Sequence, residues 1–244
     1  MLPKKSSYKL FSLELKLAEK RQKAGNYFAV SPVRRDPRQS YPRVYLPAEG
    51  PSAMTRATDD ADISQLTKLR YLITDLNALR DKDPNMHCVI FTHNRGGYEM
   101  IQKALGNAGY GKHGFTGGDD GNKRSKSIRS FQDSIKAIEE GRQVKPGAKV
   151  FVATIKAGNV GITLTAATRV YLFEPCLDPV TEVQAAGRIH RLGQTKNVMV
   201  KKLVFNNSIE SRIDEIHEKI KNGELAVTNG LYKRKLLDIL RKDN

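Results

Sequence analysis

A chain of 244 residues, 39% hydrophobic and 28% charged, has the composition of a soluble globular protein, with room for one large α/β domain and extensions or for two small domains. No apolar run approaches the ~20 residues of a membrane span, so no membrane role is expected. Forty-two Lys and Arg against 26 Asp and Glu give a net charge of +16, a positive potential that suits polyanionic partners, nucleic acid first, and says nothing about the fold.

The first 23 residues are basic but lack a continuous apolar core for secretion, and Glu14 and Glu19 argue against a transit peptide. Residues 1–60 carry Pro32, Pro37, Pro42, Pro47 and Pro51 without sustained apolar periodicity and read as a basic arm or linker. Up to Ala48 it holds eleven basic and three acidic residues, for which a solvated charged face is the expectation. A globular domain over 61–220 then begins, with Ile63, Leu66, Leu69, Ile73, Leu76 and Leu79 at helical spacing and an end near Asp83-Pro84. "HCVIFTH" (87–93) is a β-prone run followed by a helical stretch from Gly97 to Leu105. "KVFVATI" (149–155), "RVYLFEP" (169–175) and "VMVKKLVF" (198–205) are further strands, separated by segments able to hold helices.

Strands alternating with helices predict an α/β, three-layer domain with a mainly parallel sheet and helices on both faces. Ligands of such sheets bind at the carboxyl ends of the strands. Ile209, Ile213, Ile216 and Ile220 mark a closing helix, with Asn207 as its N-cap and Glu210 in the capping-box position. A last helix, 231–240, falls in a C-terminal extension over 221–244. Cys88 and Cys176 lie in separate apolar stretches without metal-ligand spacing and read as reduced core thiols, as befits cytosol or nucleus. The five histidines are scattered, and none is assigned to metal or proton transfer.

"GRIHRLGQTK" (187–196) sets Arg188 and Arg191 three positions apart. Between the bracketing acids Glu182 and Glu210 lie five basic residues, Arg188, Arg191, Lys196, Lys201 and Lys202, so an external anion is the expected partner. Two other motifs are decoys. "GNAGYGKH" (106–113) has the phosphate-loop spacing, but His113 stands where the magnesium-binding hydroxyl belongs, and the segment leaves a helix and enters a strand. Lys112 therefore reads as a surface residue. "DEIH" (214–217) imitates a magnesium-binding acidic box, yet Asp214 and Glu215 fall inside a helical pattern, on what is expected to be its solvated face. No Walker A lysine and no magnesium carboxylate remain.

"QAAGRIHRLGQTK" (184–196) resembles motif VI of the Swi/Snf-type DNA-dependent ATPases of helicase superfamily two. Three further blocks follow that family's order. "CVIFTHNRGGYEMIQKAL" (88–105) is similar to motif IV, "GFTGGDDGNKRSKSIRSF" (114–131) to the segment where a glycine-threonine turn precedes an arginine and a phenylalanine, and "ATIKAGNVGITLTAATRVYLFEP" (153–175) to motif V and the strand after it. "VKKLVFNNSIESRI" (200–213) is similar to the closing strand and helix. The resemblance spans about residues 62–220.

It implies the second of two RecA-like lobes that close over ATP with Mg²⁺ and move along double-stranded DNA, with an N-terminal ATPase lobe in cis or trans and chromatin proteins as partners, in the nucleus, in remodelling or repair. Arg191 is then the arginine finger and Arg188 its partner at the γ-phosphate, a role for which a planar, permanently charged fork is suited. Gln184 and Gly187, with Gly158 and Gly161, complete the residues expected at the cofactor; glycines let the backbone approach an anion closely. Asn159, Thr163 and Thr165 of motif V, and Thr116, Lys123 and Arg124, are the expected DNA-backbone contacts. Two departures bear on coupling: the glycine pair of motif V reads Gly158-Asn159, and the usual Trp-Asn-Pro reads Leu177-Asp178-Pro179. Details of 173–195 lean toward repair translocases that carry a RING module, although two cysteines cannot build one. Without Walker A and B the chain by itself is expected to be inactive. The competing reading is a catalytically silent DNA-binding or regulatory module, which the missing Walker A favours and the retained arginines oppose. A strand-separating helicase fits less well, since this form of motif VI belongs to translocases.

Overall fold

The computed structural model describes residues 42–47, 66–140, 147–158, 162–189 and 197–225. Six strands, β1 (Arg43–Leu46), β2 (His87–Thr92), β3 (His113–Phe115), β4 (Lys149–Thr154), β5 (Arg169–Leu172) and β6 (Met199–Phe205), form one sheet in the order β1-β6-β5-β2-β4-β3. Every neighbouring pair is parallel. All six residues of β2 are buried, the unbroken apolar pattern of a strand covered on both faces.

On one face, α1 (Thr67–Lys82) and α2 (Arg95–Asn107) bring Leu69, Leu72, Leu76, Ile101 and Leu105 against Cys88, Ile90, Val152 and Tyr171. On the other, α3 (Gly121–Glu139), α4 (Ile155–Gly158) and α5 (Pro179–Ala186) pack Phe131, Ala157, Ala185 and Ala186 on Val89, Phe91, Phe151 and Leu172. The three-layer α/β architecture is the expected one. α6 (Ile209–Lys221) buries Ile213, Ile216 and Ile220 beside β6. Cys88 and Cys176 are buried, unbridged thiols, and burial pushes both up.

Several local expectations change. Residues 43–46, assigned to the arm, are the edge strand of the sheet: β1 pairs with β6 from Arg43↔Lys202 to Leu46↔Phe205. The N-cap of α6 is Ser208, whose hydroxyl accepts the Glu210 N–H at 3.1 Å, while Ser211 Oγ accepts the Ser208 N–H at 3.0 Å. Asn207 instead supplies the left-handed turn before the helix, at φ 49°, a conformation asparagine tolerates. Glu210 is free of capping and binds Lys68 Nζ at 2.6 Å and the Phe205 N–H at 2.8 Å. Asp214 is not on a solvated face. It is 1% exposed, because β1 and Lys202 extend the buried side of α6; Glu215 is exposed. The helix expected over 231–240 lies outside the described residues.

Candidate functional site

Those expected site residues that the structure describes fall into two groups toward opposite ends of the sheet. At the carboxyl edge, Thr116 directly follows β3. Its N–H and hydroxyl both donate to Asp119 Oδ2, at 2.6 and 3.2 Å. Lys123 Nζ pairs with Asp119 Oδ1 at 2.5 Å, and its backbone N–H donates to Asp120 Oδ1 at 2.7 Å. The Lys123 hydrogen bond holds the Asp119 carboxyl below its usual range. Arg124 donates to the Gly117 carbonyl at 2.5 Å and lies over the Phe115 ring, 5.6 Å from its centroid. The three residues are thus gathered on one turn, with an aspartate already engaged where an anion would bind. Gly158 ends α4 at the same edge, after β4.

The second group lies lower. Ile155 stands at the carboxyl end of β4, whereas Thr168 lies at the foot of the sheet, where its N–H donates to His87 O at the start of β2 and its carbonyl accepts from Met199 N–H at the start of β6, at 3.1 and 2.9 Å. A six-residue strand rises about 20 Å, so the two ends of motif V are about that far apart. Near its lower end the Leu164 N–H donates to the Arg188 carbonyl at 3.1 Å, which joins motif V to the arginine segment. Gln132 of α3 braces the same turn: its Nε2 donates to Thr163 O at 2.9 Å, and its Oε1 accepts the Ala166 N–H at 3.2 Å and the Thr165 hydroxyl at 3.4 Å. Gln184 is exposed on α5, and Arg188 is half-buried just past its end. Gly187 closes the helix by donating to Val183 O at 2.9 Å. Thr116 and Gly158 thus stand at the carboxyl ends of strands, where the sequence placed the site, and Arg188 does not, because α5 runs back down the sheet from its start after β5. Arg191, Asn159 and Gly161 lie outside the described residues.

The substitution at 177–179 keeps the helix start. Asp178 Oδ1 accepts the Val180 N–H at 2.9 Å, Oδ2 accepts the Thr181 hydroxyl at 3.1 Å, and Pro179 occupies the first turn, where proline is best tolerated.

Two of the five basic residues grouped by sequence are not available to an external anion. Lys201 Nζ pairs with Asp75 Oδ2 of α1 at 2.7 Å. Lys202, on the opposite face, pairs with Glu182 Oε2 of α5 at 2.9 Å and Asp214 Oδ1 of α6 at 3.0 Å. Asp75 lies 126 residues away, Asp214 falls just beyond the bracketing Glu210, and Glu182 was counted as a bracketing acid without any sign that it reaches Lys202, so a local count of acids could not reveal the pairing. Lys196 lies outside the described residues.

Sequence reasoning also passed over Gln132 and Glu174. Glu174, just after β5, accepts from the Thr92 hydroxyl at 2.9 Å and the His93 N–H at 3.2 Å, and burial raises its carboxyl. A carboxylate at a strand end was a readable signal; a glutamine inside a helix was not. Lys112 is exposed between α2 and β3, a helix-to-strand turn as expected, which does not make a phosphate loop. Among the described residues no group of three or more His, Cys, Asp or Glu is arranged to hold a metal ion, and no helix is long and apolar enough to cross a membrane.

The family model described as helicase conserved C-terminal domain matches residues 65–193, which takes in both groups. The chain belongs to this helicase C-terminal family. Relatives include a putative SWI/SNF-related matrix-associated actin-dependent regulator of chromatin subfamily A member 3-like 1 of Arabidopsis thaliana, 34% identical over 77% of this chain and 20% of that protein. DNA repair protein RAD5 of Candida albicans is 32% identical over 64% of this chain and 14% of its own length. Human DNA excision repair protein ERCC-6-like is 32% identical over 65% and 12%. This helicase C-terminal chain thus spans a fifth or less of the curated relatives it matches. The crystal structure of the C-terminal part of the Fun30 ATPase domain superposes with a TM-score of 0.60 at 23% identity, over 78% of this chain and 59% of that one, a likeness of fold with a RecA-like lobe.

Proposed function

We propose that this chain is the second lobe of an ATP-dependent translocase on double-stranded DNA, in chromatin remodelling or repair, and that it supplies arginine fingers to a nucleotide held mainly by a first lobe. The supporting observation is the Leu164 N–H to Arg188 carbonyl bond: the motif V stretch, whose upper end adjoins the Thr116–Arg124 turn, is tied at its lower end to the arginine segment. A strand of DNA drawn along the carboxyl edge would act on Thr116, Lys123, Arg124, Asn159 and Thr163. A displacement there would reach Arg188 by way of motif V and the Leu164–Arg188 hydrogen bond. Gln184, Gly187, Arg188 and Arg191, with Gly158 and Gly161, are the residues that would meet the nucleotide and its Mg²⁺-bound phosphates. Their contribution is positive charge in fixed geometry where negative charge develops. Nothing among the described residues suits the phosphate loop, so binding is assigned mainly to the other lobe.

The test is phosphate release. The 244-residue chain alone releases none, with or without duplex DNA. Supplied with an N-terminal ATPase lobe of a relative, it gives DNA-stimulated release, which falls about 10³-fold or more in Arg191→Ala, the range typical of arginine fingers. Release by the chain alone that vanishes in Lys112→Ala would sink the two-lobe reading. DNA binding without release in any pairing would select the silent regulatory module.

A further inference from the structure

Glu182 lies one turn before the end of α5 and is 3% exposed. Its Oε1 accepts the Cys176 N–H at 2.8 Å, tying the helix to the turn that leaves β5, while Oε2 meets Lys202 at 2.9 Å. The Lys202 side chain is 1% exposed and shared with Asp214. Asp214 in turn receives the Tyr45 hydroxyl at 2.8 Å and Arg43 Nε at 2.5 Å, both from β1. Burying such ions is costly, and apolar residues of similar volume often stabilise at least as well. What an ionic chain adds is a defined setting, since its attraction depends on distance and direction in a way that apolar contact does not.

Helix α5 needs such a setting. It has eight residues, and its own core contacts near the end are Ala185 and Ala186, short side chains that offer little to fix rotation or height; Ile189, buried just past Arg188, anchors the turn that follows but is not on the helix. Arg188 follows at once, with the Leu164 N–H on its carbonyl. We infer that Glu182, clasped by Lys202 and Asp214, is a positioning residue for the arginine segment, with the edge strand β1 as the outer anchor of the chain of charges. None of these groups is among the residues assigned above to nucleotide or DNA. They act by holding α5 so that Arg188 and the motif V turn stay in register. The catalytic consequence rests on the reading of Arg188 given above.

The experiment is amide hydrogen exchange on the 244-residue chain carrying Glu182→Gln, which keeps the size and the acceptor for Cys176 but loses the charge. Exchange at Leu164 is compared with Phe91 and Val152 in the central strands. Positioning predicts about tenfold faster exchange at Leu164 with the central strands unchanged, the pattern of local opening. Unchanged exchange at Leu164, or equal acceleration at all three, overturns the inference. Should Glu182→Gln fail to fold, Lys202→Arg replaces it; it keeps the charge in altered geometry, and the same two outcomes decide. With a first lobe present and wild-type turnover established, Glu182→Gln lowers kcat at unchanged KM for ATP, and wild-type kcat in the variant also counts against it. The exchange result needs no nucleotide, so it stands or falls apart from the functional reading, which fails separately if Arg188→Ala leaves turnover intact.

Discussion

Gly114 in β3 has φ +142°, and a Cβ built there lies 2.0 Å from the Val152 carbonyl oxygen. Backbone conformation and space both demand glycine, and β4 cannot withdraw without breaking its pairing with β2. Gly114→Ala is expected to cost about 3 kcal/mol or more, from strain and overpacking together, read as a lower denaturant midpoint. Gly97 is constrained differently: its Cβ would lie 2.4 Å from Thr92 Oγ1 and 3.3 Å from Glu174 Oε1, both side-chain atoms. Residue identities were legible where a local pattern carried them, as with the core thiols and Lys112. They were illegible where a partner is remote. Nothing in the segment around Lys201 and Lys202 announces Asp75 or Asp214, and Thr116, Lys123 and Arg124 could be grouped by spacing without revealing that Asp119 already engages Thr116 and Lys123 and the Gly117 carbonyl Arg124.

Among elements, the buried strands and amphipathic helices were readable because each carries its own apolar period. β1 was not. Four residues between two prolines offer no periodicity, and the partner strand is about 160 residues away. What secures β1 is charge: Arg43 contacts Asp214 and Glu218, and Tyr45 adds its hydroxyl to Asp214. Arg43→Ala should therefore lower stability by roughly 2 kcal/mol, below the ~3–5 of a fully broken buried pair, since Lys202 still compensates Asp214. Urea unfolding checks this, with an unchanged m-value expected if β1 stays docked. The position of motif V was equally hidden, because among its described residues only the four-residue helix Ile155–Gly158 is regular, and nothing in 162–168 announces that Thr168 sits at the foot of β2 and β6.

Across the whole molecule, alternation of strand and helix made the layer architecture legible, while the balance of buried charge came only from the structure. That balance sets the response to acid. Burial lowers His87, His113 and His217 below the ordinary value of 6.5, so the unfolded chain takes up protons first as pH drops past 6.5, and stability falls with it. Glu174 acts the other way: burial raises its carboxyl above 4.5, the folded state holds that proton longer, and the fall is partly offset just above 4.5. Asp214 is disfavoured by burial, yet Lys202 and Arg43 prevail and hold it below 3.8, so its contribution disappears only as pH drops below 3.8. Thermal melts between pH 7 and pH 5 should show a decreasing Tm, with a shallower slope in His217→Gln; a flat profile would contradict the assignment of neutral, buried imidazoles.

The parallel pairing of β1 with β6 also orders events in time. A chain synthesised from its amino end at about 5–20 residues per second exposes the first strand roughly 10–30 s before its partner has been made. Through that interval Arg43–Leu46 lacks the strand it pairs with. Its brevity and the bracketing Pro42 and Pro47 are the features that keep an orphaned edge from pairing with neighbouring chains, so the residues that hid this strand from a reading of the sequence also protect it on the ribosome.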